Sequence, residues 1–217
     1  MLERGRACML SDRDILLICQ VGMGLFWIFT YILVIYKGWQ DKSYGMPMVA
    51  ICANISWEFI FAFFYPQNDL QRYITLIWFV LDVFILMQFL RYAPNEYRKM
   101  LSKKLLYFSF LITLIFSMLI ILGIVYEFQD FEGKYVAFFQ NLMMSGLFIA
   151  LLLQRGNLAG QSMGIAVCKM VGTLFAAVGF YLYFRTPLIT IISVATLFYD
   201  WLYILLIYRL QRKQLAK

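Results

Sequence analysis

The chain has 217 residues, of which 63% are hydrophobic and 14% charged, and its formal net charge is +7. Soluble domains are typically about half apolar and about a quarter charged. This composition therefore excludes a disordered chain and a nucleic-acid-binding protein, and it is atypical of any soluble globular domain. The sequence contains no histidine, so histidine can serve neither as a catalytic base nor as a zinc ligand.

Seven stretches of mostly apolar residues follow one another along the chain, each about as long as the roughly 20 residues that a membrane-spanning helix needs. They cover residues 15–36, 46–65, 73–92, 105–126, 135–153, 163–184 and 188–208. The connections between them are short. The sequence therefore predicts an all-α, polytopic membrane protein, a single transmembrane domain over residues 1–217 built as a bundle of seven transmembrane helices. Pro94 is expected to lie just beyond the third helix, since proline disfavours a helical conformation in the residue before it.

Basic residues are divided unequally between the two ends of this predicted bundle. The end that holds the N-terminus carries six of them: Arg4, Arg6, Arg13, Arg72, Lys134 and Arg185. The opposite end carries twelve: Lys37, Lys42, Arg91, Arg98, Lys99, Lys103, Lys104, Arg155, Arg209, Arg212, Lys213 and Lys217. The positive-inside rule predicts a cytoplasmic C-terminus and an outside or lumenal N-terminus. The membrane would be the endoplasmic reticulum for a fungal protein and the plasma membrane for a bacterial one, and no nucleic-acid partner is needed to explain the charge.

Three of the 12 acidic residues lie inside predicted spans: Glu58, Asp82 and Asp200. An ionisable side chain at such a depth costs roughly 2.5–3.5 kcal/mol, so each is a candidate for function. At the helical rise of about 1.5 Å per residue, all three fall in the middle third of the bilayer, where one cavity could hold them. Desolvation favours the neutral carboxylic acid, which is a proton donor.

Other interpretations of these acids remain open. They could join helices, since Lys169 in the sixth stretch could pair with Asp200 or Asp82, or its amine could extend to the interface. They could also move protons, which would make the protein a proton-coupled small-molecule carrier, although no inverted repeat is visible. A structural or sensory seven-helix protein is the third alternative, and its loops would be too short to hold a ligand domain.

Aromatic residues make up 19% of the chain. Aromatic and polar side chains of the predicted spans also form pairs that share a helix face at a spacing of three or four. These pairs are Trp27 with Tyr31, Asn54 with Glu58, and Asp200 with Tyr203. An aromatic face attracts a cation by roughly 2 kcal/mol when water is excluded. A cavity with an acid at one end and aromatic walls suits chemistry that creates a carbocation by protonation and then shelters it.

The densest pattern lies between residues 22 and 66, and weaker matches extend nearly to the end of the chain. It comprises Gly22-Met23-Gly24, Trp27, Tyr31, Tyr44-Gly45-Met46-Pro47, Asn54-Ile55-Ser56-Trp57-Glu58 and Tyr65-Pro66, followed by Ala93-Pro94-Asn95-Glu96, Arg155-Gly156, Lys169 and Asp200. This combination resembles the small integral-membrane terpene cyclases of fungal meroterpenoid and indole-diterpene pathways and their bacterial relatives.

The resemblance implies seven helices, no metal or other cofactor, and proton-initiated polycyclisation of a prenyl chain on an aromatic or polyketide-like head group, often as an epoxide. Its two functional acids match Glu58 and Asp200, while Asp82 is not carried over. We expect a lipophilic prenylated substrate, taken from the surrounding membrane lipid, to contact the residues that neighbour these acids: Trp27, Tyr31, Asn54, Trp57 and Tyr203. The chain lacks the DDxxD and DxDD motifs of soluble terpene synthases, which fits protonation without diphosphate ionisation.

Overall fold

The computed structural model describes residues 11–215, and every regular element within that range is helical. The α-helices in chain order are α1 Asp12–Asp41, α2 Met48–Phe59, α3 Asp69–Glu96, α4 Lys103–Glu127, α5 Lys134–Arg155, α6 Met163–Tyr183 and α7 Pro187–Leu215. Three residues that entered the charge count, Arg4, Arg6 and Lys217, lie outside the described residues.

Helices α1, α3 and α4 begin earlier than hydropathy predicts because polar caps extend them beyond the apolar stretch. Ser11 forms a capping box with Asp14, in which the Ser11 Oγ accepts from the Asp14 N–H at 3.2 Å and the Asp14 Oδ2 accepts from the Ser11 N–H at 3.0 Å. Asn68 caps α3 by accepting from the Gln71 N–H at 3.0 Å, and Ser102 caps α4 in the same way. These first turns satisfy N–H groups that a helix leaves without internal partners.

Six of these helices are long and apolar enough to cross a membrane. The second segment is shorter: α2 continues through a π-helical turn at Ile60–Phe64, and Met48–Phe64 together falls below the length of the other six. The π-turn is closed by the Tyr65 N–H, which donates to the Ile60 carbonyl at 3.0 Å. The multi-pass, all-helical fold is therefore confirmed, whereas the count of seven transmembrane helices is not.

The prediction that α3 ends before Pro94 is wrong. The helix continues through Pro94 to Glu96. A proline inside a helix lacks the N–H that would bond to the carbonyl four residues earlier, which here belongs to Leu90. The Tyr107 hydroxyl of α4 donates to that carbonyl at 3.2 Å, so a side chain replaces the missing backbone donor.

The helices surround a core in which α1, α2, α3, α5 and α6 meet. α1 packs chiefly against α6 and α3, while α7 packs against α5 and α6 on the far side. α2 packs between α3 and α4, and most of its side chains are buried. α4 lies at the periphery and exposes large apolar side chains such as Phe116 and Ile120, as expected for a helix that faces lipid.

Candidate active site

A cavity of about 240 Å³ lies within the bundle. Along α1 its lining runs from Leu16 to Tyr31, which at the helical rise is about 22 Å. Its lining includes five of the seven residues that the sequence singled out: Trp27, Tyr31, Asn54, Trp57 and Glu58. Its outer end lies at the loops on the N-terminal side of the bundle.

Glu58 is the carboxylic acid at the inner end of this cavity. It lies on α2, immediately before the π-helical turn, and only 1% of its surface is exposed. Its Oε1 accepts a hydrogen bond from the Tyr31 hydroxyl at 3.1 Å. Its Oε2 is buried and accepts no hydrogen bond from any described residue.

The Tyr31 hydroxyl is the last member of a chain of hydrogen bonds that all donate in one direction. Gln140 donates from Nε2 to the Asn54 Oδ1, and Asn54 donates from Nδ2 to the Tyr31 Oη at 2.6 Å. Tyr31 then donates to Glu58. Hydrogen bonds in such a chain polarise one another in a low-dielectric interior. The network therefore directs a positive dipole end at Glu58 Oε1 and stabilises a negative charge that forms there.

Aromatic side chains form the walls around the acid, and three tryptophans among them are fixed by their neighbours. The Trp57 Nε1–H donates to the Gly133 carbonyl at 3.1 Å, and the Trp78 Nε1–H donates to the Gly24 carbonyl at 3.4 Å. Trp27 packs edge-on against Tyr31, with ring centroids 5.8 Å apart. Aromatic rings with a fixed orientation attract a cation that is shielded from water.

The outer end of the cavity is polar. Gln20 on α1 donates from Nε2 to the Asn68 Oδ1 and the Gln71 Oε1, both at 3.2 Å. The backbone carbonyl of Glu132, in the α4–α5 connection, accepts from the Gln67 side chain at 2.5 Å. All five residues line the cavity. The cavity therefore has hydrogen-bonding groups at its mouth, whereas the acid and the amides bonded towards it lie at the inner end among aromatic rings.

The α4–α5 connection closes part of this mouth, and Asp130 holds its shape. The Asp130 carboxylate accepts from the Lys134 N–H at 2.8 Å and the Val136 N–H at 3.2 Å, and so caps α5. Burial raises the pKa of Asp130 above its usual range, although these backbone donors oppose the shift. The turn also needs Gly133, whose φ is +69° and whose Cα faces the Phe61 ring so closely that a Cβ would lie 2.5 Å from it.

Asp200 and Tyr203 lie outside the cavity lining. Asp200 is buried on α7, and its Oδ1 forms an ion pair with the Lys169 Nζ of α6 at 2.6 Å. The Ser145 hydroxyl of α5 donates to the same oxygen at 2.8 Å. Tyr203 is also buried, and its ring packs edge-on against Phe148. Of the pairings left open for Lys169, the structure shows the one with Asp200.

Two contacts connect this ion pair with the cavity. The Lys169 Nζ donates to the Asn141 Oδ1 at 3.1 Å, and Asn141 lines the cavity. The same ammonium lies 5.4 Å from the centre of the Trp27 ring. Asp200 is thus linked to the cavity wall through Lys169, whereas Glu58 belongs to the wall itself.

Comparison with known proteins assigns the chain to a family. Residues 9–213 match the family of Pyr4-like transmembrane terpene cyclases. The chain belongs to this family. Membership confirms the predicted function of a membrane terpene cyclase, and none of the matches supports the proton-coupled carrier.

Individual fungal proteins are similar over much of this cyclase. The Pyr4-family terpene cyclase mfmH of Annulohypoxylon moriforme is 33% identical over 172 residues, which are 77% of this chain and 69% of that protein. Terpene cyclase macJ of Penicillium terrestre is 32% identical over 163 residues, which are 73% of this chain and 63% of that protein. Terpene cyclase pyr4 of Aspergillus fumigatus is 33% identical over 79 residues, which are 36% of this chain and 33% of that protein. The longer matches thus span about two thirds of the relatives' length, and no solved structure is significantly similar.

Sequence reasoning missed several cavity residues of the cyclase. Gln140 and Asn141, adjacent on α5, carry the hydrogen bonds to Asn54 and Lys169. The sequence does contain a signal for these two residues, because two consecutive amides interrupt an otherwise apolar span. Trp78 and Phe175 also line the cavity, but a single aromatic residue in a span resembles any packing residue. Among residues 11–215, no three His, Cys, Asp or Glu side chains lie together in a way that could hold a metal ion.

Proposed function

We propose that this cyclase protonates the terminal epoxide or alkene of a prenyl chain with Glu58 and that the resulting carbocation closes rings inside the aromatic cavity. The observation that carries this proposal is the position of Glu58. It is a buried carboxyl at the inner end of an apolar cavity, and the donor chain from Gln140 through Asn54 and Tyr31 ends on one of its oxygens. The substrate is a lipophilic molecule drawn from the membrane.

The chemical steps balance without any external reactant. The Glu58 O–H bond breaks, and its proton goes to the epoxide oxygen or to the terminal alkene carbon. The π electrons of each following alkene attack the cationic carbon and form a ring bond. The last cation loses a proton from an adjacent carbon, and this proton returns to the Glu58 carboxylate and restores the acid, so the product is an isomer of the substrate. A positioned general acid contributes about 10²–10⁴ in rate, and folding the chain in a dry cavity supplies further acceleration.

The position of the acid at the inner end of the cavity supports one orientation of the substrate. The prenyl terminus reaches Glu58, and the head group stays among the amides at the mouth, such as Gln20 and Gln71. A head group with hydroxyl or carbonyl groups can exchange hydrogen bonds with these side chains. The reverse orientation would place the prenyl terminus at the mouth, out of reach of Glu58.

Asp200 is proposed to act as a positioning residue rather than as a second proton donor. It forms an ion pair with Lys169, and Lys169 in turn holds Asn141 in the cavity wall. Tyr203, which packs behind this pair, would support it. Under this proposal Glu58 alone touches the substrate atom that is protonated.

We also propose that Met48–Phe64 crosses the membrane and is the seventh span. Its contacts support a full crossing. At one end, the Tyr44 hydroxyl donates to that of Tyr97, which follows α3, at 3.1 Å. At the other end, the Tyr65 hydroxyl lies 2.8 Å from that of Tyr126, near the end of α4. With seven crossings, the charge distribution supports a cytoplasmic C-terminus, and the fungal relatives support the endoplasmic reticulum, with the cavity mouth towards the lumen.

The direct test is product analysis with Glu58→Gln in full-length protein. The probe is a farnesylated phenol with a terminal epoxide, compared with its alkene analogue. We expect Glu58→Gln to lower the cyclisation rate by at least about 10²-fold, because the amide keeps the size of the side chain and removes the acidic proton. Glu127→Gln is the matched control, since Glu127 is exposed at the end of α4. A correctly inserted Glu58→Gln variant that cyclises the probe at the wild-type rate would refute the mechanism.

A further inference from the structure

Asp82 is the third acid inside the bundle, and it lies on α3 behind Glu58. Its side chain is fully buried and does not line the cavity. The Asp82 carboxyl is a neighbour of the Glu58 carboxyl and of the Asn54 side-chain amide. Neither Asp82 oxygen accepts a hydrogen bond from a described residue, and the same is true of Glu58 Oε2. The three carboxyl oxygens without a donor therefore belong to two neighbouring side chains.

Among the described residues, no cation faces Asp82. The titratable side chains that face it are Glu58 and Tyr31, and neither is a cation. The buried ammonium of Lys169 is held by Asp200, Ser145 and Asn141 instead. A carboxylate without a counter-ion in a lipid-embedded core costs several kcal/mol. A neutral Asp82 avoids this cost, and its O–H supplies the donor that Glu58 Oε2 lacks.

We propose that Asp82 is a protonated positioning residue whose carboxylic O–H donates a hydrogen bond to Glu58 Oε2. This inference rests on the proposed role of Glu58 as the acid. When Glu58 gives its proton to the substrate, the Asp82 O–H bond stays intact and the hydrogen bond becomes charge-assisted, which roughly doubles its strength. The Glu58 carboxylate is then held by two donors, with Tyr31 on Oε1 and Asp82 on Oε2. Asp82 therefore makes Glu58 a more effective acid without touching the substrate.

Two substitutions of similar size separate this role from others. Asp82→Asn keeps a neutral donor, because its amide N–H can replace the carboxylic O–H towards Glu58. Asp82→Leu removes the donor. We expect Asp82→Asn to retain kcat within about threefold and Asp82→Leu to lose about 10–100-fold in kcat, the usual value of a hydrogen bond to a charged group. KM should change little in either variant. Equal losses in both variants, or a fully active Asp82→Leu, would overturn the inference.

Infrared spectroscopy tests the protonation state without substrate. The C=O stretch of a protonated carboxylic acid is separate from carboxylate bands and shifts in D₂O. The difference spectrum between wild type and Asp82→Asn should show the loss of one protonated-acid band. The matched control is Asp69→Asn, because Asp69 is exposed on the same helix and should lose carboxylate bands. Loss of carboxylate bands on Asp82→Asn would overturn the inference.

The two measurements also separate this inference from the proposed function. The infrared result requires neither turnover nor a folded Asp82→Leu variant, so it stands or fails on Asp82 alone. If Glu58→Gln remained active while Asp82 proved to be protonated, the proposed acid would be wrong and the protonation of Asp82 right. If Glu58→Gln were inactive and Asp82 ionised, only the role of Asp82 would be lost.

Discussion

Tyr31 is the side chain through which the polar network reaches the acid. Its hydroxyl accepts from Asn54 and donates to Glu58, and only 3% of its surface is exposed. Without this hydroxyl, the Asn54 amide would lose its acceptor and Glu58 Oε1 its donor. The sequence placed Tyr31 one helical turn from Trp27, but a spacing within α1 cannot indicate which group on α2 its hydroxyl meets.

We expect Tyr31→Phe to lower kcat about tenfold or more while KM changes little, because the lost hydrogen bond stabilises the carboxylate formed in the transition state. Steady-state kinetics on the farnesylated phenol measure both constants. Tyr36→Phe is the matched control, since Tyr36 is an exposed tyrosine on the same helix. An unchanged kcat in Tyr31→Phe would show that the hydrogen bond does not contribute to proton transfer.

The Lys169–Asp200 ion pair allows a test of what Asp200 does. Asp200→Asn leaves a buried ammonium without its counter-ion, and we expect it to reduce the free energy of unfolding by about 3–5 kcal/mol. The double variant Lys169→Met/Asp200→Asn removes both charges and should recover much of that stability. If Asp200 only positions its neighbours, the double variant should also be more active than Asp200→Asn. Thermal inactivation and product yield are measured in parallel.

A folded double variant that is as inactive as Asp200→Asn would contradict the positioning role and favour a direct catalytic one. The identity of the partner was open at the level of sequence, because Lys169 could reach either of two acids. The choice depends on how α6 and α7 are packed, which helical periodicity alone does not determine.

Hydropathy predicted the existence and order of all seven helical segments. The ends of these segments depend on polar side chains. Ser11 and Asn68 start α1 and α3 three to four residues before the apolar stretches begin. The continuation of α3 through Pro94 required Tyr107, a residue of the next helix. The π-turn after Glu58 had no sequence signal that we could identify, since Ile60–Phe64 is simply apolar.

Gly133 and Gly156 flank α5. Alanine variants at these two positions test whether the α4–α5 connection, whose Gly133 carbonyl accepts from Trp57, matters for turnover. Both have positive φ, +69° and +62°, so alanine costs about 1 kcal/mol at either position. Only at Gly133 would the new Cβ also approach Phe61 and, at 2.8 Å, the Trp57 Nε1. We expect Gly156→Ala to lower stability slightly without loss of activity, and Gly133→Ala to lower both. Equal activities in the two variants would show that the Trp57–Gly133 contact is dispensable for turnover.

The number of membrane crossings determines whether the two termini share a compartment. Seven crossings require that a protease added to sealed microsomes removes a C-terminal tag and leaves an N-terminal tag intact until detergent is added. This pattern is expected because the basic residues concentrate at the C-terminal end. Cleavage of both tags without detergent would mean an even number of crossings, and would place Met48–Phe64 outside the set of spanning helices.

The Lys169–Asp200 pair also affects how the enzyme responds to the electric field across its membrane. The two charges cancel, so with Glu58 and Asp82 protonated as proposed, the interior of the bundle is electroneutral before turnover. Moving a proton from Glu58 to the substrate creates a carboxylate and a carbocation side by side, so charge is separated only locally and none crosses the bilayer. Since a membrane potential acts on charge moved along its field, the rate of cyclisation should be the same in polarised and depolarised vesicles.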